Sequence, residues 1–409
     1  MIIFIYVNIN QRELKILGGN MKFETKSIHG IQKYDKESGG IGTPINLSST
    51  FQIFEFGKEQ EFEYSRVSNP TRSELEKLIA KLENGKKGYA FSSGMAAINA
   101  VFAMFKAGDH IVTCDDIYGG TYRLITEVFQ NFGIEFTFVD ATDLNAVKSA
   151  IKENTKAIFI ETPSNPLLAV TDIRGIATIA KENNLISIID NTFMTPYLQR
   201  PLDLGMDITL HSATKFLGGH SDIIAGLVVA SDDEIIKKLT LIQKSTGTML
   251  APFDSWLLIR SIKTLKIRVD YSQSSTLKII DYLRSHPLVD KIYYPTESDN
   301  KGKAIHESQC DGPGAIFSFT VKSYDIVDRF FKKIELGAFA VSLGGVETLV
   351  SHPYTMSHSG MPGPEKDKRG ITQTMIRVSI GLEDPEDLIE DLKQALGEQK
   401  GDKKIPTIS

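Results

Sequence analysis

Short apolar segments alternate with amphipathic ones from about residue 74 to residue 230, and this alternation constrains the fold more than any other feature. Segments such as DHIVTCDD and LISIIDN have the apolar, β-branched character of buried strands, whereas RSELEKLIAKLE repeats apolar residues at a helical period. Strands that alternate with helices form a largely parallel sheet covered on both faces. The pattern therefore predicts an α/β domain that binds ligands at the carboxyl ends of its strands.

Changes of composition along the chain predict four segments. Residues 1–20 precede a second methionine, Met21, and we expect Met21 to be the true start; the alternative is that residues 1–20 are a disordered extension. Residues 21–72 include a stretch rich in Gly, Ser, Pro and Asn with little periodicity, which indicates an extended arm that reaches a neighbouring subunit. Residues 73–265 form the predicted large domain, and residues 266–409 form a smaller α+β domain.

Charge and cysteine content narrow the class of function. The 409 residues carry a net charge of −5 without a basic block, which argues against nucleic acid or an anionic membrane as a partner. The opening apolar run is too short to span a bilayer. Cys114 and Cys310 lack CxxC spacing, which argues against a disulfide framework or a structural zinc site and fits a reducing cytoplasm. We expect small-molecule chemistry without a metal.

An acid and a lysine follow the ends of two predicted strands. Asp190 ends the segment LISIID, and Lys215 follows the next strand in LHSATKFLGGHSD. Because the carboxyl ends of parallel strands meet at one edge of a sheet, we expect these two side chains to lie close together. A lysine is a good nucleophile only where its surroundings favour the neutral amine. The alternative is a solvated surface lysine, which is the common case.

Two further motifs point to a phosphorylated aromatic cofactor. SSGMAAINAVF passes from a strand through Ser93 and Gly94 into a helix, whose free N–H groups suit a phosphate, and Ser212 and Thr214 can supply hydroxyls to the same anion. Tyr118, in DDIYGGTYR, offers an aromatic ring at another strand end. Lysine, acid, phosphate cradle and ring together predict a pyridoxal phosphate site.

Successive motifs of the chain resemble those of the Cys/Met-metabolism pyridoxal phosphate enzymes. They occur in the family's order from about Ser27 to Leu396: YSRVSNPTR, AFSSGMAAI, DDIYGGTYR, ETPSNPLL, IIDNTF, LHSATKFLGGHSD, SLGGVETL and IRVSIGLEDPEDL. The resemblance implies the fold-type I architecture of aspartate aminotransferase-like enzymes and pyridoxal 5′-phosphate as cofactor. It also implies a homotetramer, built from two dimers that share active sites.

The resemblance assigns cofactor binding to nine residues: Lys215, Asp190, Gly94, Met95, Tyr118, Ser212, Thr214, Tyr64 and Arg66. Lys215 would be the Schiff-base lysine, and Asp190 would pair with the pyridine nitrogen. Tyr118 would stack on the ring, and Tyr64 and Arg66 would reach the phosphate from the neighbouring subunit. The remaining amides and hydroxyls would bind the phosphate. Lys215 and Tyr118 would also be catalytic.

Arg377 is the candidate for binding the substrate carboxylate. In MIRVSIGL, the strand period separates Arg377 from Ile376 and Val378, and its guanidinium can form a bidentate pair with a carboxylate. A surface arginine on an edge strand is the alternative. The family places its carboxylate arginine here, with Asn165 and Ser342 beside it.

Three positions bear on the reaction. Methionine γ-lyases tend to have a cysteine where this chain has Gly120, and Arg123 suits a distal carboxylate, which cystathionine has and methionine lacks. Glu347 resembles the pattern of the γ-synthases and γ-lyases, although the sequence alone permits a solvated surface acid.

The resemblance therefore favours γ-elimination of cystathionine to cysteine, 2-oxobutanoate and ammonia. The alternatives are γ-replacement on an O-acylhomoserine by cysteine and, after that, methionine γ-elimination. A non-catalytic binding protein of the same fold is a different class, which the retention of every motif residue opposes. A nucleotide-binding α/β protein is opposed by the absence of GxGxxG and GxxxxGK[ST] motifs.

Overall fold

The computed structural model describes residues 21–31, 35 and 38–397. Residues 1–20, which precede the predicted start at Met21, lie outside these residues, as do the last positions of the predicted small domain. Within them, no helix combines the length and the apolar composition that crossing a bilayer requires.

Seven strands form a large sheet in the order β1-β7-β6-β5-β4-β2-β3. They are β1 (Lys87–Phe91), β2 (His110–Cys114), β3 (Glu135–Val139), β4 (Thr155–Glu161), β5 (Ile186–Asp190), β6 (Ile208–Ser212) and β7 (Gly226–Ala230). β7 runs antiparallel to both of its neighbours, and the other pairings are parallel. The predicted mostly parallel sheet is thus confirmed.

Helices precede, alternate with and follow the strands of this sheet. They are α1 (Phe23–His29), α2 (Pro70–Leu82), α3 (Gly94–Phe102), α4 (Gly119–Leu124), α5 (Leu144–Ser149), α6 (Ile173–Glu182), α7 (Thr195–Leu198), α8 (Asp233–Thr246) and α9 (Pro252–Ile262). Side-chain oxygens of Asn69, Ser93 and Asp172 accept bonds from first-turn amides, which explains where α2, α3 and α6 begin. The sequence TYRLITEVFQNFG has a continuous helical period, but α4 passes into a π-helical turn, Ile125–Phe129.

A smaller five-stranded sheet follows, in the order β10-β11-β12-β9-β8. Its elements, with the helices among them, are α10 (Leu265–Arg284), β8 (Val289–Tyr293), α11 (Lys303–Gln309), β9 (Ile316–Val321), α12 (Tyr324–Lys333), β10 (Ala338–Phe339), β11 (Leu349–Ser351), α13 (Gly363–Lys368), β12 (Met375–Ser379) and α14 (Pro385–Leu396). The predicted smaller α+β unit is present. The boundary near residue 265 stays a prediction; α10 begins at Leu265, after a short break that follows the end of α9 at Ile262.

One buried apolar cluster joins the two sheets beside the predicted site. It packs Leu75 of α2 and Leu258 of α9 with Phe216, which follows Lys215, and with Ile316 of β9. Burial of apolar area is the main favourable term in folding, so this shared cluster holds the smaller sheet against the large one. The space between the two sheets is therefore fixed by packing.

Arg72 ties the N-terminal arm to α2, in which it also forms a buried ion pair with Glu76. Arg72 is 1% exposed; its Nη1 donates to the carbonyl oxygen of Ser65 at 2.7 Å, and its Nε lies 3.5 Å from Glu76 Oε1. The same Glu76 oxygen accepts bonds from the Ala90 amide and from Gln243 Nε2. Ser65 lies between the predicted cofactor residues Tyr64 and Arg66, so the bond from Arg72 to the Ser65 carbonyl holds this part of the arm against α2.

Replacing Arg72 with methionine removes one partner of this pair and leaves a buried carboxylate unpaired. We expect Arg72→Met to destabilise the fold by about 3 kcal/mol, measured as a shift of the urea unfolding midpoint. The double variant Arg72→Met/Glu76→Gln should recover at least about 1 kcal/mol, because glutamine can accept the same amide bond without a charge. A single variant within about 0.5 kcal/mol of wild type would show that the pair is not structural.

Candidate active site

A cavity of about 410 Å³ lies between the two sheets, at the carboxyl ends of β4, β5 and β6. Its walls include most of the predicted site residues: Gly94, Met95, Tyr118, Arg123, Asn165, Asp190, Ser212, Thr214, Lys215, Ser342 and Arg377. Residues that are distant in sequence thus converge because parallel strands end at one edge of the sheet.

Lys215 lies in the turn after β6, with its amine directed at the smaller unit. Its Nζ donates to Ser342 Oγ at 2.8 Å. Burial, and then the positive charge of Arg377, lower the pKa of Lys215 to about 8, although Asp190 acts in the opposite direction. A larger fraction of this amine is therefore neutral at neutral pH than for an exposed lysine, as a nucleophile or base requires.

Asp190 ends β5 and is buried. Its Oδ1 accepts bonds from the Thr192 amide at 2.9 Å and from the Thr192 hydroxyl. Burial raises the pKa of Asp190, while the two bonds from Thr192 and the charge of Lys215 oppose that rise. Thr192 thus orients the carboxylate. The other carboxylate oxygen, Oδ2, accepts no hydrogen bond within the part of the chain that the structure describes.

The amino end of α3 forms one end of the cavity. Ser93 Oγ accepts the Ala96 amide, and a Cβ placed on Gly94 would lie 2.8 Å from both Cβ and Oγ of Ser212. Only glycine therefore fits between the helix and β6. The Ser212 amide is held by Thr192 Oγ1 at 2.8 Å. Helix amides, hydroxyls and a glycine-lined approach suit a phosphate, so these residues fit the cofactor that the sequence implies.

Arg377, in β12, is a buried cation at the opposite wall. Its Nη1 donates to Asn165 Oδ1 at 2.9 Å, and its Nη2 donates to the Ser342 carbonyl at 2.8 Å. Its Nε is buried without a partner among the described residues. Burial lowers the pKa of Arg377 to about 10, so the side chain stays charged at neutral pH. A buried guanidinium with a free N–H is well placed to bind a carboxylate.

Ser342 connects Arg377 to Lys215, since its carbonyl accepts from the former and its hydroxyl from the latter. Its φ is +86°, in a region that serine seldom occupies. Backbone strain of this kind persists only where surrounding contacts hold it, and it is common at functional sites.

Tyr118 and Arg123 line the outer part of the cavity. Tyr118 is the residue before α4 and is 40% exposed, and Arg123 is an exposed residue of that helix. In the part of the chain that the structure describes, the Arg123 guanidinium makes neither a hydrogen bond nor an ion pair. Its charge is thus available to a ligand in the cavity.

Three predicted residues lie away from the cavity of their own chain. Arg66 lies over the Tyr64 ring, 5.4 Å from its centroid, and donates to the Lys244 carbonyl near the end of α8. Glu347 is exposed and is not part of the cavity wall. The geometry of one chain therefore brings together eleven of the predicted residues and leaves these three outside.

Sequence reasoning missed two side chains that shape the site. Thr192 was quoted only within the IIDNTF motif, and its role follows from its bonds to Asp190 and Ser212. Glu161 ends β4 and lines the cavity, and its position directly after an apolar strand is the signal that marked Asp190. The segment 356–360 also covers the cavity, but it has no periodicity that could have indicated this.

Comparison with known proteins gives the same family throughout. The chain matches the family described as Cys/Met metabolism PLP-dependent enzyme over residues 24–397. The cystathionine gamma-lyase of Bacillus subtilis (strain 168) is 49% identical over 92% of this chain and 99% of the relative. The cystathionine beta-lyase MetC of that strain is 47% identical over 93% of this chain and 97% of the relative.

A solved structure agrees with these matches. The crystal structure of cystathionine gamma-lyase from Lactobacillus plantarum, complexed with L-serine, has a TM-score of 0.90 and 48% identity, and the match covers 92% of this chain and 98% of that one. Relatives at 42–49% identity carry the names cystathionine gamma-lyase, beta-lyase and gamma-synthase, so the shared name is that of the family. This chain belongs to the Cys/Met-metabolism family of pyridoxal phosphate-dependent enzymes.

Proposed function

We propose that this enzyme is a cystathionine γ-lyase, which converts cystathionine and water to cysteine, 2-oxobutanoate and ammonia. The observation that carries the choice of substrate is the presence of two cations at the cavity, the buried Arg377 and the exposed Arg123. Cystathionine carries a carboxylate at each end, so two separate cations match it better than they match methionine.

Different residues around the cavity bind different parts of the cofactor. Lys215 is the covalent anchor, and Asp190 pairs with the ring nitrogen. The amides of Gly94 and Met95 bind the phosphate together with the hydroxyls of Ser212 and Thr214. The fit rests on the glycine-lined approach at α3 and on the Asp190 carboxylate oxygen that accepts no hydrogen bond from any residue the structure describes. When bound, pyridoxal phosphate supplies an electron sink next to the substrate Cα.

Lys215 and Tyr118 are the residues that transfer protons, as general base and general acid. Lys215 Nζ, whose pKa is lowered to about 8 by burial and by Arg377, is the base that takes the Cα proton. Arg377 grips the neighbouring carboxylate, and Asn165 holds the guanidinium in place through its bond to Nη1. The Tyr118 hydroxyl assists the departing sulfur as a general acid.

The choice of γ-elimination over β-elimination rests on the similarity of this chain to γ-lyases and γ-synthases. Glu347 matches the γ-lyase and γ-synthase pattern, and the gamma-lyase of Bacillus subtilis is 49% identical. β-Elimination was not among the predicted reactions, and the beta-lyase at 47% identity makes it the second candidate. Methionine γ-lyase is less favoured, because a Cβ at Gly120 would lie 2.4 Å from Cε1 of the Tyr118 ring, where that enzyme tends to have cysteine.

The products of cystathionine cleavage distinguish these reactions. We expect the holoenzyme to release 2-oxobutanoate and cysteine, identified by mass spectrometry, whereas β-elimination would release pyruvate and homocysteine. Lys215→Ala should lower turnover at least about 10³-fold, because it removes the base, while thermal unfolding of the cofactor-free protein stays near that of wild type. Pyruvate as the main 2-oxo acid would contradict the proposal. So would γ-replacement on an O-acylhomoserine that outpaces cleavage, since it would indicate a γ-synthase.

Arg123 tests the assignment of the distal carboxylate. Arg123→Leu should lower kcat/KM for cystathionine roughly tenfold, about 1.4 kcal/mol, as expected for a charge-assisted bond at an exposed site. Arg123→Lys, the matched control, keeps the charge and should lose less. The effect on homocysteine or methionine should be small, because neither has a second carboxylate. Equal losses with all three substrates would mean that Arg123 is structural.

We further propose a cytoplasmic homotetramer in which two chains share each active site. Tyr64 and Arg66 lie outside the cavity of their own chain, in an arm with exposed apolar side chains that include Leu47, Phe54 and Phe56. Contiguous exposed apolar surface marks protein interfaces. The unpaired state of Cys114 and Cys310 supports the cytoplasmic assignment.

Mixed oligomers test whether the sites are shared. Lys215→Ala and Arg66→Ala chains should each be inactive or weak alone. A hybrid dimer holds one complete site, formed by Lys215 of the Arg66→Ala chain and Arg66 of the Lys215→Ala chain. Unfolding and reassembling the two variants together should therefore recover activity, up to about a quarter of that of wild type for random pairing into dimers. No recovery despite subunit exchange, verified with differently tagged chains, would show that Arg66 does not serve a partner's site.

A further inference from the structure

Glu161 faces the cavity but has no part in the roles proposed above. It is the last residue of β4, 7% exposed, and it lies in register with Asp190 across the β4–β5 pair. Register partners on neighbouring strands lie about 4.8 Å apart and point to the same face of the sheet. Two buried carboxyl groups therefore lie side by side at the base of the cavity.

One contact connects Glu161 to the segment that follows the neighbouring strand β2. The backbone amide of Tyr118 donates to Glu161 Oε2 at 3.0 Å. Tyr118 precedes α4, and its side chain makes no capping bond to that helix. The bond to Glu161 thus ties the backbone that carries the Tyr118 ring to the central sheet.

The surroundings of the two carboxyl groups differ in a way that decides which of them is ionised. Asp190 accepts two bonds from Thr192 and feels the positive charge of Lys215, so its ionised form is supported. Glu161 accepts one backbone bond. Burial first, and then the negative charges of Asp190 and Asp116, raise the pKa of Glu161 well above its usual range, with Arg377 as the opposing cation. Since two adjacent buried carboxylates are costly, these contacts favour the ionised form of Asp190 and the protonated form of Glu161.

We propose that Glu161 is a positioning residue whose neutral carboxyl group anchors the Tyr118 amide beside Asp190, and so fixes the Tyr118 ring at the cavity wall where pyridoxal phosphate binds. The proposal rests on the cofactor of the family and is independent of which reaction the enzyme catalyses. Its consequences are therefore measurable without substrate.

Titration of the cofactor-free protein with pyridoxal phosphate tests this role. The readouts are the dissociation constant, from fluorescence quenching, and the visible circular dichroism band of the bound cofactor. Glu161→Gln keeps a neutral acceptor for the Tyr118 amide and should change the dissociation constant less than about twofold, with the band unchanged. Glu161→Ala should weaken binding roughly 5- to 10-fold, the scale of one lost ring contact, and reduce the band.

A Tyr118→Leu background shows whether Glu161 acts through the ring. There, Glu161→Ala should add less than about a twofold change, because the ring it positions is already gone. Thermal unfolding of each cofactor-free variant monitors the fold. If Glu161→Ala does not fold, Glu161→Met replaces it, because methionine keeps the side-chain volume but offers no carboxyl oxygen to the Tyr118 amide. The proposal is overturned if glutamine is as damaging as alanine, if alanine is harmless, or if alanine has its full effect without Tyr118.

Discussion

The bond from Lys215 Nζ to Ser342 Oγ is the contact on which the organisation of the site depends. It joins a residue of the large sheet's edge to a loop of the smaller unit, and the Ser342 carbonyl in turn accepts from Arg377. Lys215, the proposed base, and Arg377, the proposed carboxylate-binding cation, are thus fixed relative to each other through one serine. Burial, and then the closeness of the Arg377 charge, lower the pKa of Lys215, so the arrangement that we propose to bind the substrate also favours a reactive amine.

Carboxyl groups at the ends of β4 and β5 give the site its second electrostatic feature. Asp190 is supported in its ionised form by Thr192, while Glu161 is buried with an amide as its partner. Neighbouring groups with different surroundings can hold different protonation states at the same pH. In the proposed arrangement, the central sheet offers the Asp190 carboxylate to the cofactor and the protonated Glu161 carboxyl group to the backbone of Tyr118.

The sequence predicted the features that depend on local pattern. The alternation of short apolar strands, such as β4, β5 and β6, with amphipathic helices predicted the parallel sheet. The positions of Asp190 and Lys215 at or after the ends of apolar strands predicted that both would lie at the same cavity. The π-helical turn after α4 and the break before Leu265 were not predicted, because both interrupt sequences whose apolar period continues. Arg72, assigned only to an arm, proved to be a buried ion-pair residue, since burial of a charge depends on tertiary packing. Oligomeric contacts of Tyr64 and Arg66 stay a prediction, as does the role of Glu347, which is exposed in the single chain.

The identity of the lysine that binds the cofactor is the most direct test of this account. Sodium borohydride reduces the C=N bond between a lysine and pyridoxal phosphate to a stable secondary amine, which survives proteolysis and is located by peptide mass spectrometry. The account predicts that the reduced holoenzyme carries the modification on the peptide containing Lys215, and that Lys215→Arg carries none. A modification on another lysine in wild type, or an unchanged yield in Lys215→Arg, would contradict it.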